Sequence, residues 1–166
     1  MWTAGLFPGE TPAETRLRVA ICALSDLAWR DHPDLRAQES FRRVLQLPFI
    51  GIEHAERVFL AAALHARYNG RPDDPYLMPA AGLLSRSQRR RAQVVGRTIA
   101  LAYRLSAGAP AVLKDSALKI GADGVILEVG NAARVPDSEV VMEHLQQLAG
   151  AVGVKRCEVV GVGPSS

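Results

Sequence analysis

The stretch that decides the fold is ALKIGADGVILEV, residues 117 to 129. Its apolar residues alternate with others on both sides of Gly121-Ala122-Asp123-Gly124. A period of two around a Gly/Asp-rich turn predicts a β-hairpin, because successive strand side chains point to opposite faces. Working outward, the chain before Pro110 reads with a period near 3.6, the mark of amphipathic helices. After the hairpin, a helix is expected from Asp137 to about Val152, capped by Asp137 or Ser138, and then a last strand in RCEVVGV. The fold class expected is therefore mainly α: a helical bundle followed by a small β-hairpin–α–β appendix. The divisions expected are a flexible lead-in over 1–12, a helical domain over 13–110, the appendix over 111–162 and a disordered tail over 163–166.

Within the helical part, Leu17, Ala20, Ile21, Leu24, Leu27 and Ala28 recur at i, i+3 and i+4. Thr11 with Glu14 three residues on, and Pro12 between them, has the form of a capping box that starts this first helix. Pro33 bars its continuation past Trp29–Asp31. A second helix is expected over Leu35–Leu45, stopped by Pro48, and a third over Glu53–Tyr68, ending at Asn69-Gly70. RPDDPYLMP reads as a loop, and AAGLL as a short turn or helical stub. The longest helix starts at Ser85 or Ser87, either of which can cap it, and runs to about Leu105, closed by SAGAP.

A chain of 166 residues is long enough for one domain with a real core. No segment approaches the ~20 apolar residues a membrane span needs, and the N-terminus has neither the basic nor the apolar region of a signal peptide. Cys22 and Cys157 lie in apolar patterns without CxxC spacing, which reads as two reduced thiols of a cytoplasmic protein. Net charge is only +3, so charge distribution carries more than its sum. From Leu84 to Ser106 stand six arginines, at 86, 89, 90, 91, 97 and 104, and no acid. Arg90, Arg97 and Arg104 are seven apart and share a helix stripe; Arg86 stands one turn before Arg90. A one-signed stretch of this kind favours an anionic partner, and phosphate suits the planar guanidinium fork. A solvated basic face is the plainer reading. Few aromatics and no recognised motif argue against sequence-specific nucleic-acid binding.

The four histidines, His32, His54, His65 and His144, show no metal-ligand spacing, so surface or satisfied core positions are expected for them. Phosphate-binding glycine loops and a GxSxG elbow are absent; Gly96, in mid-helix, reads as a close-packing position. Ser25-Asp26 follows the apolar run ICAL, which places Asp26 at or near a buried face. A buried carboxylate needs a partner, and Arg67 and Arg97 are the first to try.

RVAICALSDLAWRDHPDLRAQESFRRVLQLPFIGIEHAERVFLAAALHARYNG, with VVGRTIALAYRLSAGAP and the β-α-β tail in the same order, resembles the C-terminal region of the exopolyphosphatase / guanosine-pentaphosphate phosphatase family, in its α-proteobacterial form. The resemblance spans about Arg16 to Val160; LSDLAWRDHPD and FIGIEHAERVFLA are its most specific pieces. It implies an HD-like helical domain with a small α/β cap, which helps hold polyphosphate and makes a homodimer. It places catalysis, and the Mg²⁺ that serves it, in preceding actin-like domains that nothing here matches, so no cofactor is expected in this chain. The chain would then be a fragment or a stand-alone relative without that machinery.

In HD hydrolases a His-Asp pair, an upstream His and a distant Asp hold the metal. Here the resemblance places Ser25 at the His, Asp26 at the Asp and Tyr103 at the distant Asp, with Arg67 at a basic position and Tyr68 where a His often stands. One carboxylate is too few for a catalytic divalent ion. The function expected is a non-catalytic, dimerising domain that binds polyphosphate or guanosine pentaphosphate through Arg67, Arg86, Arg90, Arg97 and Arg104, beside a degenerate HD site. The rivals are a surviving HD-type metal-dependent nucleotide phosphohydrolase and a structural interaction module whose arginines pair with a partner's acids.

Overall fold

The computed structural model describes residues 2, 6–106, 111–121, 123–130 and 138–161. Thr11 caps α1 (Pro12–Ala23): its hydroxyl accepts the Glu14 N–H at 3.2 Å, and the Glu14 carboxylate accepts the Thr11 N–H at 2.8 Å. Each group satisfies an N–H the helix cannot reach. After this come α2 (Arg36–Gln46), α3 (His54–Arg67), the short α4 (Met78–Ala81), α5 (Arg86–Ser106), α6 (Ala111–Lys114), β1 (Ser116–Ile120), β2 (Gly124–Val129), α7 (Ser138–Val152) and β3 (Arg156–Gly161). Short 3-10 turns precede α2 and α4. The mainly helical class with a hairpin–helix–strand appendix is thus what forms. The stub expected in AAGLL lies a few residues earlier, as α4, and the short α6 was not anticipated. The cap expected at Asp137, the closing residues 107–110 and the tail 163–166 lie outside the described residues.

One boundary differs instructively. Periodicity carries the first helix through Ala28, yet α1 stops at Ala23 and residues 24–30 form successive turns. The Tyr68 hydroxyl explains this. It accepts the Ala28 N–H at 3.1 Å, a proton that a continued helix would direct to Leu24, and donates to the Ser25 carbonyl at 2.7 Å.

The chain forms two compact units: Glu10–Ile99, and residues 1–9 together with Ala100–Ser166, so the boundary falls within α5. In the first, α2 and α3 pack on each other, and α3 is buried almost all round, from Val58 to Arg67 save Ala62. Gly96 lets α5 approach α3: a Cβ there would lie 2.2 Å from the Ala63 carbonyl oxygen. In the second unit the sheet order is β1-β2-β3, with β1–β2 antiparallel and β2–β3 parallel. The parallel step needs a crossover, which α7 supplies while packing on β2 and β3. The register pairs Leu118 with Leu127 and Leu127 with Val159, so one face is apolar, and Lys119–Glu128 closes a 2.5 Å ion pair on the other. Trp2 Nε1 donates to Ser116 Oγ at 3.1 Å, tying the chain start to β1. Both cysteines are half-buried free thiols. Among the described residues, no helix is long and apolar enough to cross a membrane.

Candidate functional site

The start of α5 is set by Ser85, which settles the choice of cap: its hydroxyl accepts the Gln88 N–H at 3.2 Å, and the Gln88 side chain accepts the Ser85 N–H at 2.8 Å. Leu84, just before, is buried, while residues 85–90 are all exposed. Arg86, Arg89 and Arg90 therefore stand on the exposed first turns, which hold no acid. A helix start carries about half a unit of positive charge from its aligned peptide dipoles, so cations there are disfavoured. Three arginines at such a place reduce the helix's own stability and raise its attraction for an anion.

The other arginines of α5 behave differently. Arg91 turns to Glu10, a residue from 81 positions upstream, and lies 3.6 Å from Glu14. Glu10 also accepts from Arg18 at 2.7 Å, and both side chains are nearly inaccessible. The Arg18 bond, outweighing burial, holds the Glu10 carboxyl below its ordinary range. The one-signed stretch is therefore neutralised at Arg91, by an acid from the supposed lead-in rather than from one helical turn away.

Arg97, expected on the exposed stripe, is buried. It donates to Asn69 Oδ1 at 2.8 Å and to the Gly70 carbonyl at 2.9 Å, and burial pulls its pKa down. Asn69 sits at φ +63°, which Asn tolerates better than most residues. Arg67 is also buried, with its guanidinium 4.9 Å from the Tyr68 ring centroid. Arg104 is exposed near the other end of α5, beyond the boundary between units. Of the five arginines expected to receive phosphate, Arg86 and Arg90 come together with Arg89, Arg104 lies in the other unit, and Arg67 and Arg97 face inward. Arg89 was missed because it breaks the seven-residue spacing.

Asp26 is not on a buried face. It lies exposed in the turns after α1. The burial was inferred by extending α1 past its true end. Ser25 is half-buried, with its carbonyl held by Tyr68; Tyr103 is exposed and belongs to the other unit. Among the described residues, no group of three or more His, Cys, Asp or Glu could hold a metal ion.

A partly buried polar cluster joins α3 to the loop that follows it, and sequence did not single it out. His65 Nε2 is 2.8 Å from Asp74 Oδ2 and 2.9 Å from the Tyr76 hydroxyl, which itself donates to Asp74 at 3.0 Å. An ionised carboxylate only accepts, so Nε2 carries the proton. Gly70 lies against the imidazole so closely that a Cβ would come within 2.2 Å of it. Burial pushes the His65 pKa down despite Asp74, and pushes the Tyr76 hydroxyl up. His32 and His54 are exposed and His144 is buried. Phe41 meets His65 edge-on and Tyr76 at a tilt, and also lines a cavity of about 270 Å³. Val58, Leu77, Met78 and Leu84 form apolar walls, with Arg89, Arg90 and Gln93 at the polar side.

Residues 3–160 match the sequence profile described as "Exopolyphosphatase, C-terminal". The chain belongs to that family. A search of curated proteins returned no match. As an exopolyphosphatase C-terminal domain, the chain combines a helical unit whose one exposed basic end adjoins an apolar cavity with a small sheet unit, and it carries no metal-ligand set among its described residues.

Proposed function

We propose that this exopolyphosphatase C-terminal domain is a non-catalytic, dimerising module of a cytoplasmic phosphohydrolase, and that it takes polyphosphate against Arg86, Arg89 and Arg90. The observation that carries this reading is the acid-free, triply basic start of α5. Among the described residues, neither Arg86 nor Arg89 has an acidic partner, and a polyanion would reverse the unfavourable charge at the helix start. Arg97 holds the loop after α3 in place through Asn69 Oδ1 and the Gly70 carbonyl. An HD-type hydrolase would need ligands that Ser25, exposed Asp26 and Tyr103 do not supply.

Guanosine pentaphosphate is the second reading, favoured by the cavity beside Arg89 and Arg90. Its base would enter the apolar space while its phosphates meet the arginines.

Titrating polyphosphate against the chain at about 50 and 200 mM salt tests the first reading, since neutralising phosphates releases their counterions. Affinity is expected to fall at least severalfold at the higher salt. Replacing all three arginines with alanine is expected to weaken binding at least about tenfold. Binding indifferent to both would leave only a structural interaction module.

A further inference from the structure

We infer that the outer edge of β3 is the seam of a homodimer, with two copies pairing β3 antiparallel about a two-fold axis at Cys157. Each three-stranded sheet would then continue into one of six strands. The inference rests on the dimerisation reading and names the surface that performs it.

In the order β1-β2-β3, β3 pairs only with β2, and no other backbone hydrogen bond reaches residues 156–161 among the described residues. A six-residue open edge is a template for another strand, and proteins that avoid this place unpaired charges, proline or a bulge on it. β3 has no proline, and its exposed charges are of opposite sign: Arg156 and Glu158, two apart and therefore on one face. Neither has an ion-pair partner among the described residues. The other edge differs. On β1 the exposed Lys119 is already paired with Glu128, and Ser116 is taken by Trp2.

Two-fold pairing is self-complementary by construction. With the axis at Cys157, each residue faces the one equally far on the other side of 157. Arg156 then faces Glu158 of the partner subunit, and Glu158 faces Arg156 of the partner subunit. Opposite charges directly across a strand pair are favourable and like charges are not. Moving the axis one residue brings Arg156 against Arg156 or Glu158 against Glu158. The charge pattern therefore selects one register.

Sedimentation equilibrium of the wild-type chain, of Arg156→Glu, of Glu158→Arg and of an equimolar mixture of the two variants tests the seam. Both changes of charge fall on exposed side chains, and circular dichroism checks that the variants fold. Each variant alone places like charges across both central pairs, and its dimer is expected to weaken at least about tenfold. The mixture restores opposite charges at both pairs and is expected to recover wild-type association as a heterodimer. A wild-type dimer that neither substitution weakens, or a mixture that stays monomeric, overturns the seam while leaving dimerisation itself standing. A wild-type chain that is monomeric at high micromolar concentration overturns both.

Discussion

The first two turns of α5 and its middle carry the same residue type for opposite ends. Arg86 and Arg97 project within one helical stripe, yet the first is exposed and the second is sealed against Asn69 and Gly70. What separates them is the depth at which the helix enters the core. Residues 85–90 stand clear of it, and residues 94–101 are buried on every side. Periodicity tells which way a side chain points, not whether neighbours await it there. An arginine stripe read from spacing alone thus merges a structural cation with others left facing solvent.

The comparison breaks most decisively at Arg97. Its replacement by alanine leaves the buried Gly70 carbonyl without its donor and frees the loop after α3. Urea denaturation is expected to show a loss of about 3 kcal/mol or more. A loss below about 1 kcal/mol would mean that the loop holds itself, and the two arginines would not differ as described.

A smaller effect sharpens the same region through His65. Burial sets its folded pKa below the ordinary 6.5, so above that pH the imidazole is neutral in both states. As pH falls through 6.5 toward the folded pKa, the unfolded chain takes the proton first and stability is lost. The urea midpoint is expected to fall between pH 7 and pH 5, and to fall less in His65→Asn. Glu10 adds a separate window below about 4.5, where its lowered pKa makes protonation costly to the folded state. A midpoint unchanged to pH 5 would leave the His65 cluster without a charge cost.

The smallest effect is expected at Arg86. Alanine there should shift stability by no more than about 0.5 kcal/mol, and upward, because a cation leaves the positive end of a helix. A clear loss would show that Arg86 is engaged by the fold rather than held out for a ligand.

What was legible follows from how local each signal is. The hairpin at 117–129 was readable because alternation and a Gly/Asp turn lie within thirteen residues, and the Thr11–Glu14 cap because both partners sit in one turn. The extent of α1 was not, because Tyr68 ends it from 40 positions away. Glu10 was unreadable for the same reason: nothing near it announces Arg18 and Arg91. At the site, the basic composition of α5 was plain, but the sorting of its arginines into exposed Arg86, Arg89 and Arg90, acid-paired Arg91 and buried Arg97 depends on packing. The family pattern pointed to Ser25 and Asp26 and could not tell that Asp26 is exposed in a turn.

The mutual cap between Ser85 and Gln88 has a bearing on how a ligand would be received. Because this cap ties the Ser85 and Gln88 N–H groups to each other's side chains, the three guanidinium stems are mounted on a helix start already braced before any anion arrives. Little backbone entropy is then spent on association, and a polymer could move along the basic end by exchanging one phosphate for the next without the helix fraying and re-forming.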